Sequence, residues 1–169
     1  MINILSTNKQ KDILVGGSVV YKKDNGKITW FLVREQEGDW EFPKTSVRRG
    51  ESSVRSVIRA MSEQAGMKAK VLEEAGRTMK VILHNGKPVD QKIIYYLLIE
   101  RGGGEVLGFD ESSWMDYARA VKRLDKKEAK ILSSARQLQK EVEKKAKKNP
   151  IIEEEEDFEK ELIPEVVKV

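Results

Sequence analysis

Short β-branched and aromatic runs dominate the first part of the chain. ILVGGSVVYKK, residues 13–23, is followed by DNGK and then by ITWFLVRE, residues 28–35. The pattern predicts two strands joined at Asn25-Gly26, because Asn-Gly supplies the positive φ angles that a two-residue hairpin turn requires. GDWEFPKTSVRRGE, residues 38–51, is rich in Gly, Pro and charge and reads as a loop. A helix is then expected from Ser52 or Ser53. Val54, Val57, Ile58, Met61 and Ala65 recur at intervals of three and four, which makes one face apolar, and Gly66 is a fitting stop.

The second half repeats the strand signal. KAKVLEEAGRTMKVIL (68–83), the turn HNGKPVD (84–90) and QKIIYYLLIE (91–100) predict another hairpin. RGGGEVLGFDESS, residues 101–113, reads as a loop, WMDYARAVKRL (114–124) as the start of a short helix, and Trp114 as an anchor for the last helix. From about Asp125 a longer helix carries Ile131, Ala135, Leu138 and Val142 on one stripe that should pack on the domain. Strands, a helix, more strands and a terminal helix give, by layer logic, a mixed α/β sandwich of the α+β kind with a helix on each side of the sheet.

Composition refines this picture. A chain of 169 residues suits one domain with an extension, and no stretch approaches the roughly 18 unbroken apolar residues of a membrane span. The first residues lack the basic and apolar regions of a signal peptide, so a cytoplasmic address is expected. The absence of cysteine excludes a disulfide frame and thiolate zinc, leaving oxygen ligands for any metal. The net charge of +4 conceals a split, since residues 151–169 hold eight acidic and two basic side chains. The expected organisation is an arm at 1–11, a domain at 12–148 including the terminal helix, and an acidic, mobile tail at 149–169. A basic body favours polyanionic partners such as nucleotides, RNA or inositol phosphates.

The stretch TSVRRGESSVRSVIRAMSEQAGM, residues 45–67, carries the candidate chemistry. Glu51 stands at the mouth of the helix, and Arg59 and Glu63, four residues apart, share its polar face. A loop carboxylate beside a helix that displays another is a way to gather hard ligands for magnesium, which takes one or two carboxylates plus substrate phosphates. Lys44, Arg48 and Arg49 in the preceding loop would neutralise those phosphates. A plain alternative is a solvated helix face with an Arg59–Glu63 ion pair.

This stretch resembles the Nudix hydrolase signature, G-x5-E-x7-R-E-U-x-E-E-x-G-U with U a bulky aliphatic. Glu51, Arg59, Met61, Glu63, Gly66 and Met67 fall in register, and WEFPK, RRGES and ESSWMDYARAV are similar to the family's flanking segments. The likeness covers residues 12–142. It implies a Nudix-type α/β/α sandwich, with Glu51, Arg59 and Glu63 as catalytic residues and Glu51, Glu63 and Gln64 as ligands of magnesium or manganese. The pattern is also broken. Ala60 and Gln64 replace two of the three expected helix carboxylates, and Thr45 replaces the opening Gly. A single weakly held ion or none is therefore expected, with Asp110 and Glu111 as possible substitutes for the missing acid.

Pro43-Lys44 before the signature resembles the branch that hydrolyses diadenosine polyphosphates and diphosphoinositol phosphates. In diadenosine members a Lys and Tyr pair on a later strand meets phosphate and adenine. The resemblance thus nominates Lys44, Arg48, Lys92, Tyr95 and Tyr96 as substrate-binding residues. Alternation sends Tyr95 and Tyr96 to opposite faces, so at most one lines a cleft. Trp40 and Phe42 are expected to pack, and His84 sits in a turn with no catalytic role. Three functions follow: a weak hydrolase of a diphosphate link, a binding module for a nucleotide, RNA or ribonucleoprotein, or a complex subunit that docks through its acidic tail.

Overall fold

The computed structural model describes residues 12–148; the expected arm and acidic tail lie outside the described residues. In chain order the elements are β1 (Ile13–Asp24), β2 (Lys27–Arg34), β3 (Lys44–Ser46), α1 (Ser53–Ala65), β4 (Met67–His84), β5 (Lys87–Gly103), β6 (Glu111–Met115), α2 (Tyr117–Arg123) and α3 (Lys126–Lys148). Both hairpins turn where the Asn-Gly pairs stand, with Asn25 and Asn85 each at φ 52°.

The sheet is mixed. Its order is β4-β5-β1-β2-β6, with β3 also on β1, and the β1–β5 pairing is parallel while the others are antiparallel. β1 is its axis, pairing along one side with β5 and along the other first with β3 and then with β2. Val20, Phe31, Val33, Ile94, Tyr96 and Leu98 on one face pack with Val57, Ala60, Met61 and Ala65 of α1. Residues of opposite parity, such as Tyr95, face the other way, toward Phe42 and the start of α3.

Two adjacent glycines of β1 make this two-sided packing possible. A Cβ on Gly16 would lie 2.6 Å from Ser56 Oγ and 2.8 Å from Val57 Cγ1, and one on Gly17 would lie 2.5 Å from the Tyr95 ring. One glycine lets α1 approach and the other seats Tyr95. Helix α1 begins with Ser52 accepting a hydrogen bond from the Arg55 N–H and ends at Gly66 with φ 58°, as a left-handed cap requires.

Two expectations need correction. Residues 111–115, read as the end of a loop and the start of a helix, form β6, and Trp114 pairs with Phe31 instead of anchoring the last helix. The Trp114 ring lies 5.0 Å from that of Phe31, with the Lys22 ammonium 4.5 Å above it. The helix starts later, where Asp116 caps it through the Arg119 N–H. β3 is also unforeseen, because three residues after a proline carry no periodicity.

The chain divides into two compact units after Ala135, part-way along α3. Ile131, Leu132 and Ala135 are buried in the first unit. In the second, the described residues continue the helix to a basic last turn with Lys145, Lys147 and Lys148. No helix among the described residues is long and apolar enough to cross a membrane.

Candidate functional site

The loop before α1 is held by its own charged groups. Gly50, at φ 80°, completes a turn in which the Glu51 N–H donates to the Arg48 carbonyl at 3.0 Å, while the Arg48 N–H donates back to Glu51 Oε1 at 3.1 Å. Arg59 reaches back from the helix. Its Nε and Nη2 donate to Glu51 Oε2 and Oε1 at 2.8 and 3.0 Å, and Nη2 also meets the Ser46 carbonyl at 3.3 Å. This fork is the geometry in which guanidinium and carboxylate bind most strongly. The Arg59 hydrogen bonds, seconded by the Arg48 N–H, hold the Glu51 carboxyl at a pKa of about 2.

Glu63 stands one turn beyond Arg59, with its side chain 55% exposed. Its Oε2 is 3.6 Å from Arg59 Nη1 and 3.8 Å from Arg48 Nη2. The alternative of an Arg59–Glu63 pair therefore exists only as the weaker partnership, since Arg59 is committed to Glu51.

The two broken signature positions point elsewhere. Ala60 is 2% exposed and belongs to the core beside Phe31 and Val33. Gln64 lies under the loop between β5 and β6, where its backbone carbonyl accepts from the Gly108 N–H at 2.8 Å. A Cβ on Gly108 would come within 2.6 Å of Gln64 Cβ, so the contact leaves no spare room. Gln64 Oε1 is buried without a hydrogen-bond partner. The same loop brings Val106 and Phe109 against the core cluster that contains Ala60.

These donors do not fit the multi-ion magnesium or manganese set that the signature resemblance implies. Glu51 has both oxygens engaged, Ala60 offers none, Gln64 offers a neutral carbonyl, and only Glu63 presents an accessible carboxylate. Among the described residues no three of His, Cys, Asp and Glu gather as a metal-holding group. Asp110, in the loop, accepts from the Gln36 N–H, and Glu111 is paired with Arg34.

The nominated substrate-binding residues are not gathered in one place. Arg48 is exposed in the loop, with a side chain 64% accessible. Lys44 is occupied: its Nζ lies 2.9 Å from Glu128 Oε2, 3.1 Å from the Phe42 carbonyl and 3.5 Å from Glu41 Oε2. Tyr95 donates to the same Glu128 oxygen at 2.7 Å, and burial first, then Glu128, push its phenol well above the ordinary value. Tyr96 bonds Ser53 Oγ at 2.6 Å on the opposite face. Both rings are buried, so neither offers a free surface to a base. Lys92 lies on the Tyr96 side of β5, opposite Leu14 and Met79.

Sequence reasoning missed Glu128. It is 4% exposed, takes the Phe42 N–H at 3.1 Å besides Lys44 and Tyr95, and has its own N–H capped by Asp125. Asp125 and Glu128 have the spacing of a helix cap and its third residue, which locates a helix start but gives no hint of burial. A cleft of about 200 Å³ lies at the other end of α1, lined by Lys22, Met67, Glu100, Val106 and Trp114 among others. None of the nominated residues borders it.

The model of the NUDIX domain matches residues 14–135. The chain belongs to the Nudix family. An RNA pyrophosphohydrolase of Hydrogenovibrio crunogenus is 29% identical over 120 residues, covering 60% of this chain and 72% of that protein. A C. elegans Ap4A hydrolase structure is 25% identical, with a TM-score of 0.56 over 73% of this chain and 96% of that one. The NUDIX domain of Shewanella oneidensis NrtR, complexed with ADP ribose, has a TM-score of 0.59 at 14% identity and covers 78% and 90% of the two chains. That last likeness is one of fold. The Nudix α+β architecture expected from the sequence is thus established, and the hydrolase class is supported by pyrophosphohydrolase relatives.

Proposed function

We propose that this Nudix protein holds a nucleotide or related polyphosphate and that its hydrolytic step is vestigial. The observation that carries this reading is the state of the signature helix, with Ala60 in the core and Gln64 beneath Gly108, so that one accessible carboxylate is left. A lone carboxylate flanked by two arginines is a poor magnesium ligand, because its charge is already compensated. Arg48, Arg49 and Arg55 are exposed around the start of α1, whose first turn has no acidic residue. They would supply charge to a phosphate chain without doing chemistry on it. RNA with a 5′-polyphosphate belongs to the same ligand class, and the cysteine-free composition suits a cytoplasmic setting.

A second reading, a slow pyrophosphohydrolase, is favoured by the unpartnered Gln64 Oε1 beside Glu63. Equilibrium binding and turnover on one panel separate the two. The panel contains diadenosine tetraphosphate, nucleoside di- and triphosphates, ADP-ribose and 5′-triphosphorylated RNA, each with magnesium, manganese or chelator. Micromolar binding that survives chelation, with no turnover, is expected. Metal-dependent turnover abolished by Glu63→Gln would establish the slow hydrolase instead.

A further inference from the structure

β4 is an outer strand, with β5 on one side and, among the described residues, no strand on the other. Its two halves differ. Between Met67 and Gly76 the register against β5 slips at Lys68/Ala69, Val71/Glu73 and Glu74/Gly76. Such bulges bend an edge and spoil it as a template for another strand. From Arg77 to His84 the pairing is regular, residue against residue, from Arg77↔Ile94 to His84↔Lys87.

The straight half also carries an apolar row. Met79, Val81 and Leu83 are 53, 67 and 77% exposed. Alternation puts all three on one face of the strand. Only two other large hydrophobics among the described residues, Ile58 and Leu107, are comparably open. Outer strands are ordinarily blunted by charge, proline or a bulge. Here Lys80 is the one charge between Thr78 and Leu83, and it lies on the opposite face.

We propose that residues 77–84 form an interface with a second copy of this chain, the two β4 edges pairing antiparallel about a two-fold axis at Val81. The segment is self-complementary in that register. Val81 meets itself, Met79 meets Leu83, Lys80 meets Ile82 and Thr78 meets His84, so apolar faces apolar on one side and no like charges oppose on the other. Moving the axis to Lys80 would set two ammonium groups face to face, which is unfavourable. An isologous contact of this kind closes on itself as a dimer and consumes both open edges. The bulged half of each strand would curve away from the contact, limiting it to the straight segment.

Analytical ultracentrifugation of the full chain tests the proposal. The wild type is expected to dimerise with concentration, and hydrogen exchange of the alternate amides of 77–84 that point away from β5 should slow as it does. Val81→Lys sets like charges across the axis at an exposed position, so it should leave the thermal transition of the monomer intact and weaken dimerisation about tenfold or more. Val81→Glu should do the same. An equimolar mixture of the two variants should reassemble as a heterodimer, which only a contact centred on residue 81 explains. A wild type that stays monomeric to its solubility limit overturns the proposal, as does a dimer indifferent to Val81→Lys. Protection in the monomer of those alternate amides of 77–84 that point away from β5 would mean that the chain covers its own edge, and the interface would be lost with it.

Discussion

Glu51 is held in the structure as an anion by the arginine that reaches back to it. Its folded pKa of about 2 lies below the ordinary 4.5 because Arg59 and the Arg48 N–H stabilise the charged form. A depressed carboxylate contributes stability that is complete above the unfolded value and fades as pH falls through the folded one. The contribution should be intact at neutral pH and decline between about pH 4.5 and 2. Urea titrations over that range are expected to show the decline in the wild type and to lose that component in Glu51→Gln, which should also be the less stable protein at pH 7. Positions 60 and 64 invite a second comparison. Ala60→Glu forces a carboxylate into an apolar site and should cost about 3 kcal/mol or more, whatever metal is added. Gln64→Glu, beside the exposed Glu63, should be destabilised in chelator and regain melting temperature with magnesium or manganese, as ligand linkage requires. Melting curves with and without metal decide the matter, and equal recovery in both variants would contradict the burial of Ala60.

The elements meet through a few specific contacts, and the buried Glu128 is the densest of them. It joins Phe42 and the first residue of β3, Lys44, to the middle of β5 through Tyr95 and to the first turn of α3. Glu128→Ala takes the buried carboxylate from the Lys44 ammonium, which keeps the Phe42 carbonyl and Glu41, and from the Tyr95 phenol, and is expected to cost about 3 kcal/mol in denaturant unfolding. Tyr95→Phe, which removes one neutral donor, should cost about 1 kcal/mol. Equal costs would show that the network does not hold the elements together. On the other face, Gly16→Ala presses a methyl against Ser56 and Val57 and should cost about 1 to 3 kcal/mol while leaving the secondary-structure content unchanged by circular dichroism. Local signals made much of this architecture legible in the sequence. Both Asn-Gly turns, the α1 face and its Gly66 cap are encoded within a few residues of where they act. β6 was not legible, because ESSWM has no long alternation and gains its pairing from β2, far away in the chain. Glu128 escaped for the same reason: a charged residue among lysines reads as solvated until tertiary contacts bury it.

At the scale of the whole molecule, the Nudix frame stands, and the signature helix turns Ala60 into the core and Gln64 toward the loop at Gly108. The family assignment and the frame could be read from six residues in register. The fate of Ala60 and Gln64 could not, since it depends on a loop that returns some forty residues later. Basic charge around the exposed loop also makes an ionic-strength prediction: polyphosphate affinity should fall steeply with added salt. A salt-independent affinity, measured by titration calorimetry, would place the ligand in an apolar cleft instead. The parallel pairing of β1 with β5 governs something different, the order in which the molecule comes into being. Ile13 finds its partner at Gln91, so the first strand cannot complete its sheet until nearly the last strand has been made. Closing so long a loop is slow, and chains dominated by such distant pairings fold on the millisecond-to-second scale. The β1–β2 and β4–β5 hairpins, whose strands are neighbours in sequence, should form before β1 docks on β5. Interrupted synthesis that stops before β5 would leave β1 joined to β2 and β3 with its other side bare.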